Sequence, residues 1–403
     1  MHDAFGNLIS TGNPAAAAAY DRAVDCQLHA WPGLADALAD ALAEAPDFAL
    51  AHALAALVHA AWSRPAAARE AATQARAHAA GATAREQSHI ELVSAVVEGR
   101  GTDALTMALA QAASHPTDVL AASTAMGAYG LLAFSGRADH NQARFDLLEQ
   151  LAPHLPDELP WLLCNRGWAR IELGRVDEGL AMAQRAIALR PHNGHNAHIV
   201  MHGLHERADH DGVLAFAAAW LPGYDDGAML WGHLQWHAAL AELMLGRDTA
   251  ALARLFGPIL AYLPRGAPFM GLPDVTSLLW RLGLRGEKNL PWPVAMAHAR
   301  THFPNGSNVF GEVHLAMLAA AARDQPALAA VQQRLDRHAQ RGHAGAAVAL
   351  HWLAALRTLA DADPAAAQQS LAACTTELVR LGGSRAQRSV IEQTLATPHL
   401  PAV

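Results

Sequence analysis

The chain has 403 residues, of which 52% are hydrophobic and 16% charged, with a formal net charge of −8. That is ample material for a buried core, and an acidic balance without a basic, aromatic-interleaved stripe argues against a nucleic-acid binder. No apolar run approaches the roughly 20 residues of a membrane helix, so no membrane partner is expected.

In chain order, Met1-His2-Asp3-Ala4 lacks the basic stretch and apolar run of an export signal. Cys26, Cys164 and Cys374 lie far apart without CxxC spacing. Such a sparse, odd set suits reduced thiols, and a soluble cytoplasmic protein is expected. Strong helix formers in segments of about 12 to 18 residues alternate with Gly, Pro and Asp breaks, which predicts an all-α fold. A helix-turn-helix rhythm runs through Ala45–Gly81, Leu230–Leu263 and Ala344–Leu381. Its clearest copy is 158–191, where Gly167, Gly174, Ala186 and Pro191 take the small-residue, turn and stop positions of a roughly 34-residue tetratricopeptide unit. Gly179 departs from the alanine usual at its position. The reading is one domain over 1–403, a divergent tetratricopeptide-like α-α superhelical array with a concave face.

The next segment, 192–237, is the most informative. Eight of the 24 histidines fall in it. His192, His195, His198, His202 and His205 follow at three- and four-residue intervals, which keeps side chains on one helical face. His233 and His237 form a second pair with Trp236 between them. Two such pairs on neighbouring helices could offer one transition-metal ion four imidazoles, so His198, His202, His233 and His237 are the candidate metal ligands. His198, His202, His237 and Asp274 are the candidate catalytic groups. Asp274 or Glu206 could ligate the ion or orient an imidazole. Equally, all these histidines could be pocket-wall groups satisfied by carbonyls and water, because the HExxH signature is absent.

Irregular stretches are expected at Leu221–Ala228, Pro264–Pro273 and Gly286–Pro293. Asp274, after Pro273, reads as a helix N-cap, with Ser277 and Arg281 on the same helical side and Trp280 beside them. His298 and His302 read as a solvated face, and His314 as a core histidine or a site residue. Ser384 and Gln387 form a capping box after Gly382-Gly383, beside Arg385 and Arg388, and such a helix start can also attract an anion.

Several pieces of this chain carry a family likeness. They are Asp3-Ala4-Phe5-Gly6, Ser10-Thr11-Gly12-Asn13-Pro14, Pro46-Asp47-Phe48-Ala49-Leu50-Ala51-His52 and the 158–191 unit. Later come His198-x3-His202, His233-x2-Trp236-His237, Pro273-Asp274-Val275-Thr276-Ser277-Leu278-Leu279-Trp280-Arg281 and Gly382-Gly383-Ser384-Arg385-Ala386-Gln387-Arg388. On these residues the chain resembles the tetratricopeptide-repeat protein 38 family over nearly its whole length. The resemblance implies a two-layered helical array with a polar inner surface, and brings no established reaction with it. Members commonly have an acid shortly after the second histidine. Here His205 is followed by Glu206 at a slightly shortened spacing.

Two function classes follow. One is a binding protein whose pocket takes a small anionic ligand or a peptide end, lined by His195, His205, Trp236, Trp280, Arg281, His314, Ser384, Gln387 and Arg388. The other is an enzyme using the histidine cluster for acid–base or metal-dependent chemistry. Homo-oligomerisation is left open, and a transition metal is the one candidate cofactor.

Overall fold

The computed structural model describes residues 1–361, 363–372, 375–396 and 400–401, so Cys374 lies outside the described residues. Among these residues every regular element is helical, 22 of them α-helices, and the one β-type pairing is an isolated bridge between His2 and Leu8. The all-α expectation holds. None of these helices is long and apolar enough to cross a membrane.

Local chemistry sets where helices start and stop. Asn13 opens helix Pro14–His29 by accepting from the Ala15 and Ala16 amides, with Pro14 at the first position, where its missing N–H costs nothing. Thr83 and Glu86 form a reciprocal capping box on helix Ala84–Val97. Asp118, Asp209, Asn308 and Asp324 cap four further helices.

The chain divides into two compact units, residues 1–132, 142–203 and 223–230 in the first and 133–141, 204–222 and 231–403 in the second. Helix Gly194–Glu206 runs continuously through the division, with its last turn counted in the second unit.

The first unit has an alanine-rich core, in which Ala16, Ala23, Ala41, Ala51, Ala53 and Ala56 are fully buried. Small side chains let helix axes come close. The 158–191 segment forms the expected pair, helices Pro160–Glu172 and Val176–Leu189, joined at Gly174 with φ +80°. A Cβ on Gly167 would stand 2.8 Å from the Gly179 carbonyl oxygen, and one on Gly179 would overlap the Gly167 carbonyl. Gly179 is therefore one half of a glycine–glycine contact, and an alanine there would push the helices apart.

The second unit is built on large side chains. Trp236, Trp280, Trp292 and Trp352 are each 0% exposed in a core with Leu278, Leu279 and Leu356. Trp280 meets Trp292 and Trp352 edge-on, with ring centroids 6.4 and 6.2 Å away.

Two expectations fail here. Six of the ten residues of the presumed loop Pro264–Pro273 are helical, because helix Pro268–Leu284 begins at Pro268 and carries Pro273 within it. Asp274 is consequently an interior residue of this helix and not its N-cap, a place held by Ala267. The local proline rule misled, since the helix is buried along most of its length and tertiary packing tolerates the one lost backbone bond. The second helix of the Leu230–Leu263 copy is also irregular. Helix Asp248–Arg254 passes into a π-turn over Leu255–Ile259, which contains Pro258.

Candidate functional site

Helix Gly194–Glu206 starts where the Asn193 side chain accepts from the Asn196 amide at 3.0 Å. Gly203 seats it, as a Cβ there would lie 2.9 Å from Leu180 Cδ1. The histidine stripe divides along its length. His192 is exposed and stacks on Trp31 at 4.7 Å, and His195 lies near His29, with burial holding its imidazole pKa down to about 4. His198 and His202 are 4.5 Å apart ring to ring, and Trp168 packs edge-on against His202 at 4.7 Å. His205 ends the stripe beside His210 at 5.4 Å. Burial, helped by the nearby His210, Arg281 and Arg385, holds its pKa to about 4.

Helix Trp231–Met244 carries the second pair. At its start Gly232 leaves room for the Tyr262 ring, which any Cβ would strike. His233 and His237 are 4.8 Å apart, and Trp236 stacks on His233 at 5.2 Å with 12° between planes. His233 Nδ1 contacts both Asp274 carboxylate oxygens, at 2.9 and 2.8 Å. A carboxylate there accepts, so Nδ1 carries the proton and a neutral ring keeps its lone pair on Nε2. Burial pushes the Asp274 carboxyl up, opposed by His233 and Arg281. Trp236 Nε1 donates to Ser277 Oγ at 3.2 Å, tying the same two helices together.

The four histidines meet. One ligand nitrogen from each of His198, His202, His233 and His237 lies within 4.8 Å of the other three, and all but His198 are buried. Metal–nitrogen bonds of about 2.0–2.1 Å put ligand nitrogens about 3.4 Å apart in a tetrahedral site, and about 4.2 Å apart only where two stand on opposite sides of the ion. Rotation of the imidazoles that draws the widest pair in by about 1 Å would bring the four donors onto one ion. Imidazole suits Zn, Cu, Ni and Fe, and excludes a hard-ion site for Ca or Mg.

Of the candidate acids, Asp274 takes the orienting position on His233, whereas Glu206 is ion-paired with Arg385 at 3.6 Å. Arg281 is buried, with Cζ 5.8 Å from the Trp236 ring centroid. It donates to Gln393 Oε1, the Ser277 and Ala386 carbonyls and Ser389 Oγ. No carboxylate lies within salt-bridge distance of it among the described residues, and burial lowers its pKa to about 9.

The remaining candidates have partners of their own. Ser384 and Gln387 make the reciprocal cap of helix Arg385–Ala396, through Ser384 N to Gln387 Oε1 at 2.9 Å and Gln387 N to Ser384 Oγ at 3.2 Å. Arg388 is 9% exposed and donates to the Gly382 and Gly383 carbonyls at 3.1 and 2.7 Å. His314 Nδ1 donates to the Phe310 carbonyl at 2.9 Å, and burial holds its pKa to about 4. Trp280 is a core residue whose Nε1 donates to Thr394 Oγ1 at 2.8 Å. His298, expected on a solvated face, is buried against the Pro268 carbonyl at 2.9 Å, while His302 is exposed. A Cβ on Gly271 would strike Leu263 Cδ1 and meet His298 Nε2 at an ordinary contact distance of 3.5 Å.

One buried polar group went unforeseen. In the first unit Asp118 accepts from Arg85 Nη1 at 2.9 Å, Gln111 Nε2 at 2.8 Å and His89 Nδ1 at 3.1 Å. The capping box Thr83-x2-Glu86 and the Arg85-x3-His89 spacing were visible in the sequence, but Asp118 is 33 residues from Arg85. A comparison of the chain with protein-family models finds no match.

Proposed function

We propose that this chain is a tetratricopeptide-like helical protein that holds one transition-metal ion on His198, His202, His233 and His237. The observation that carries the reading is the convergence of four ligand nitrogens within 4.8 Å. Asp274 supports it as the orienting carboxylate, leaving His233 Nε2 as the ligand atom. The ion would supply Lewis-acid or redox chemistry, or a fixed cation for an anionic ligand to meet. The protein's share is to bury three of the four imidazoles, fix one tautomer and pack Trp168 against His202 and Trp236 against His233.

A second reading, a pocket for a small anionic ligand, has its own support. Arg281 keeps a buried positive charge beside Trp236, with no carboxylate in contact among the described residues. The two readings are compatible, since neutral imidazoles leave a bound divalent ion's charge to be balanced by an anion.

Metal analysis of protein grown with zinc, copper, iron and manganese supplied tests the first reading. The expected result is close to one ion per chain, lost in His198→Ala and His237→Ala while the helical signal stays. Less than about a tenth of an ion per chain sinks it, because a multi-imidazole site holds these ions tightly.

A further inference from the structure

The second unit carries another polar site, away from any motif in the sequence. The loop 303–308 and helix Gln325–Gln340 enclose an open cavity of about 220 Å³, lined by Asn305, Gly306, Ser307, Arg334, Arg337, His338 and Arg341. Positions 334, 337, 338 and 341 share one helical side by the three/four rule.

The cavity is built from a buried bracket. Glu312 is 0% exposed, and its carboxylate takes Arg334 Nε at 2.8 Å, Arg334 Nη2 at 2.9 Å and the Ser307 amide at 2.8 Å. His338 Nε2 donates to the Ser307 carbonyl at 3.1 Å. Gly306 turns the loop at φ +89°, and any Cβ there would overlap both Arg334 and Glu312. The loop is thus stapled to the helix, and the concavity is a fixed feature.

Its charge is unbalanced. Glu312 is committed to Arg334, while the exposed side chains of Arg337 and Arg341 make no ion pair among the described residues. Two guanidinium groups one helical turn apart, over a polar hollow in a chain of net charge −8, form a local anion attractor. The volume is below that of pockets for drug-sized ligands, which begin near about 300 Å³.

We propose that this cavity binds the phosphate group of a small phosphomonoester, with Arg337 and Arg341 as its principal contacts. Planar guanidinium forks pair their N–H donors with two oxygens each, and a phosphate group has oxygens for two forks at once, where a single carboxylate fills one and a halide neither. The cavity shares no lining residue with the histidine cluster.

Calorimetric titration at low ionic strength with inorganic phosphate and with glycerol 3-phosphate tests it. Saturable binding of both is expected, weakened at least tenfold in Arg337→Gln/Arg341→Gln and unchanged in Arg69→Gln, an exposed control elsewhere. Tighter binding of the ester would place its organic part in the hollow, whereas equal affinities would reduce the site to one for free phosphate and overturn the ester assignment. No binding to the unaltered protein at 10 mM phosphate (on the order of the weakest affinity worth calling a site), or binding that survives the double substitution, overturns the proposal. So does equal competition by chloride or acetate at matched ionic strength. Both arginines are exposed, so the variants should fold, and circular dichroism checks it.

Discussion

His89 with Asp118 in the first unit and His233 with Asp274 in the second make the same bond, an imidazole Nδ1 on a buried carboxylate, in opposite company. Asp118 also receives Arg85 and Gln111, and Arg85 reaches on to the Leu8 carbonyl. Glu86, next in sequence to Arg85, holds the Ser10 amide and hydroxyl, so this network clamps the N-terminal segment. Burial raises the Asp118 pKa, but His89, Arg85 and Gln111 outweigh it and set the carboxyl far below its ordinary range. Among the described residues Asp274 has no arginine in contact, and burial wins there. What surrounds the second imidazole is more imidazole, His237 on its own helix and then His198 and His202. A histidine–aspartate pair is therefore no signature by itself. Saturated by cations it is a brace, and among other histidines it is the outer part of a ligand set.

Matched substitutions should separate the two. Asp118→Asn preserves shape but leaves Arg85 as a buried charge without its counter-ion, a change that costs about 3–5 kcal/mol. A large fall in the urea midpoint is expected, and a shift equivalent to less than about 1 kcal/mol would mean the brace carries little stability. The same exchange at Asp274 should barely alter the stability of metal-free protein, since burial already disfavours that carboxylate. It should instead weaken metal binding by about 10–100-fold, the usual loss when an orienting partner is removed. Competition with a colorimetric chelator measures this. Unchanged affinity in Asp274→Asn would remove Asp274 from the centre without touching the four ligands.

How much of this was legible follows from the range of each interaction. The pairs His198/His202 and His233/His237 could be read because helical period is local, and three- and four-residue spacing fixes a shared face before any tertiary contact forms. The glycine and proline marks of 158–191 are local too, and they yielded the helix pair correctly. The identity of its contact was not local, since Gly167 needs Gly179 only once the helices cross. The cap reading of Asp274 after Pro273 is local and fails, whereas its reading as an imidazole-orienting carboxylate agrees with the structure, through a partner 41 residues away. Asp118 and its cations, 29 and 33 residues off, left no periodic trace. Arg334, Arg337 and Arg341 drew no reading from the sequence, because three- and four-residue spacing of arginines is ordinary on a helix and only the Gly306 turn closes a hollow over them.

The smallest expected effect, and the one that probes the comparison most finely, is the response to pH in metal-free protein. Asp118 has a folded pKa below the unfolded value of about 3.9, so its stabilisation is present above that value and is lost as pH falls toward the folded one. Asp274 has a raised folded pKa, so the native state takes its proton first and this group opposes acid unfolding. His195 and His314, held to about 4 by burial, add a loss common to every variant as pH falls from about 6.5 to 4, because the unfolded chain is protonated before the folded one. Denaturation between pH 7 and 3.5 should then show the gap between unaltered protein and Asp118→Asn narrowing below about pH 5, while Asp274→Asn loses stability with acid more steeply than the unaltered protein. Parallel curves for all three would mean that neither carboxylate titrates differently in the folded state. The contrast between a saturated brace and a ligand-orienting pair would then have to rest on metal affinity alone.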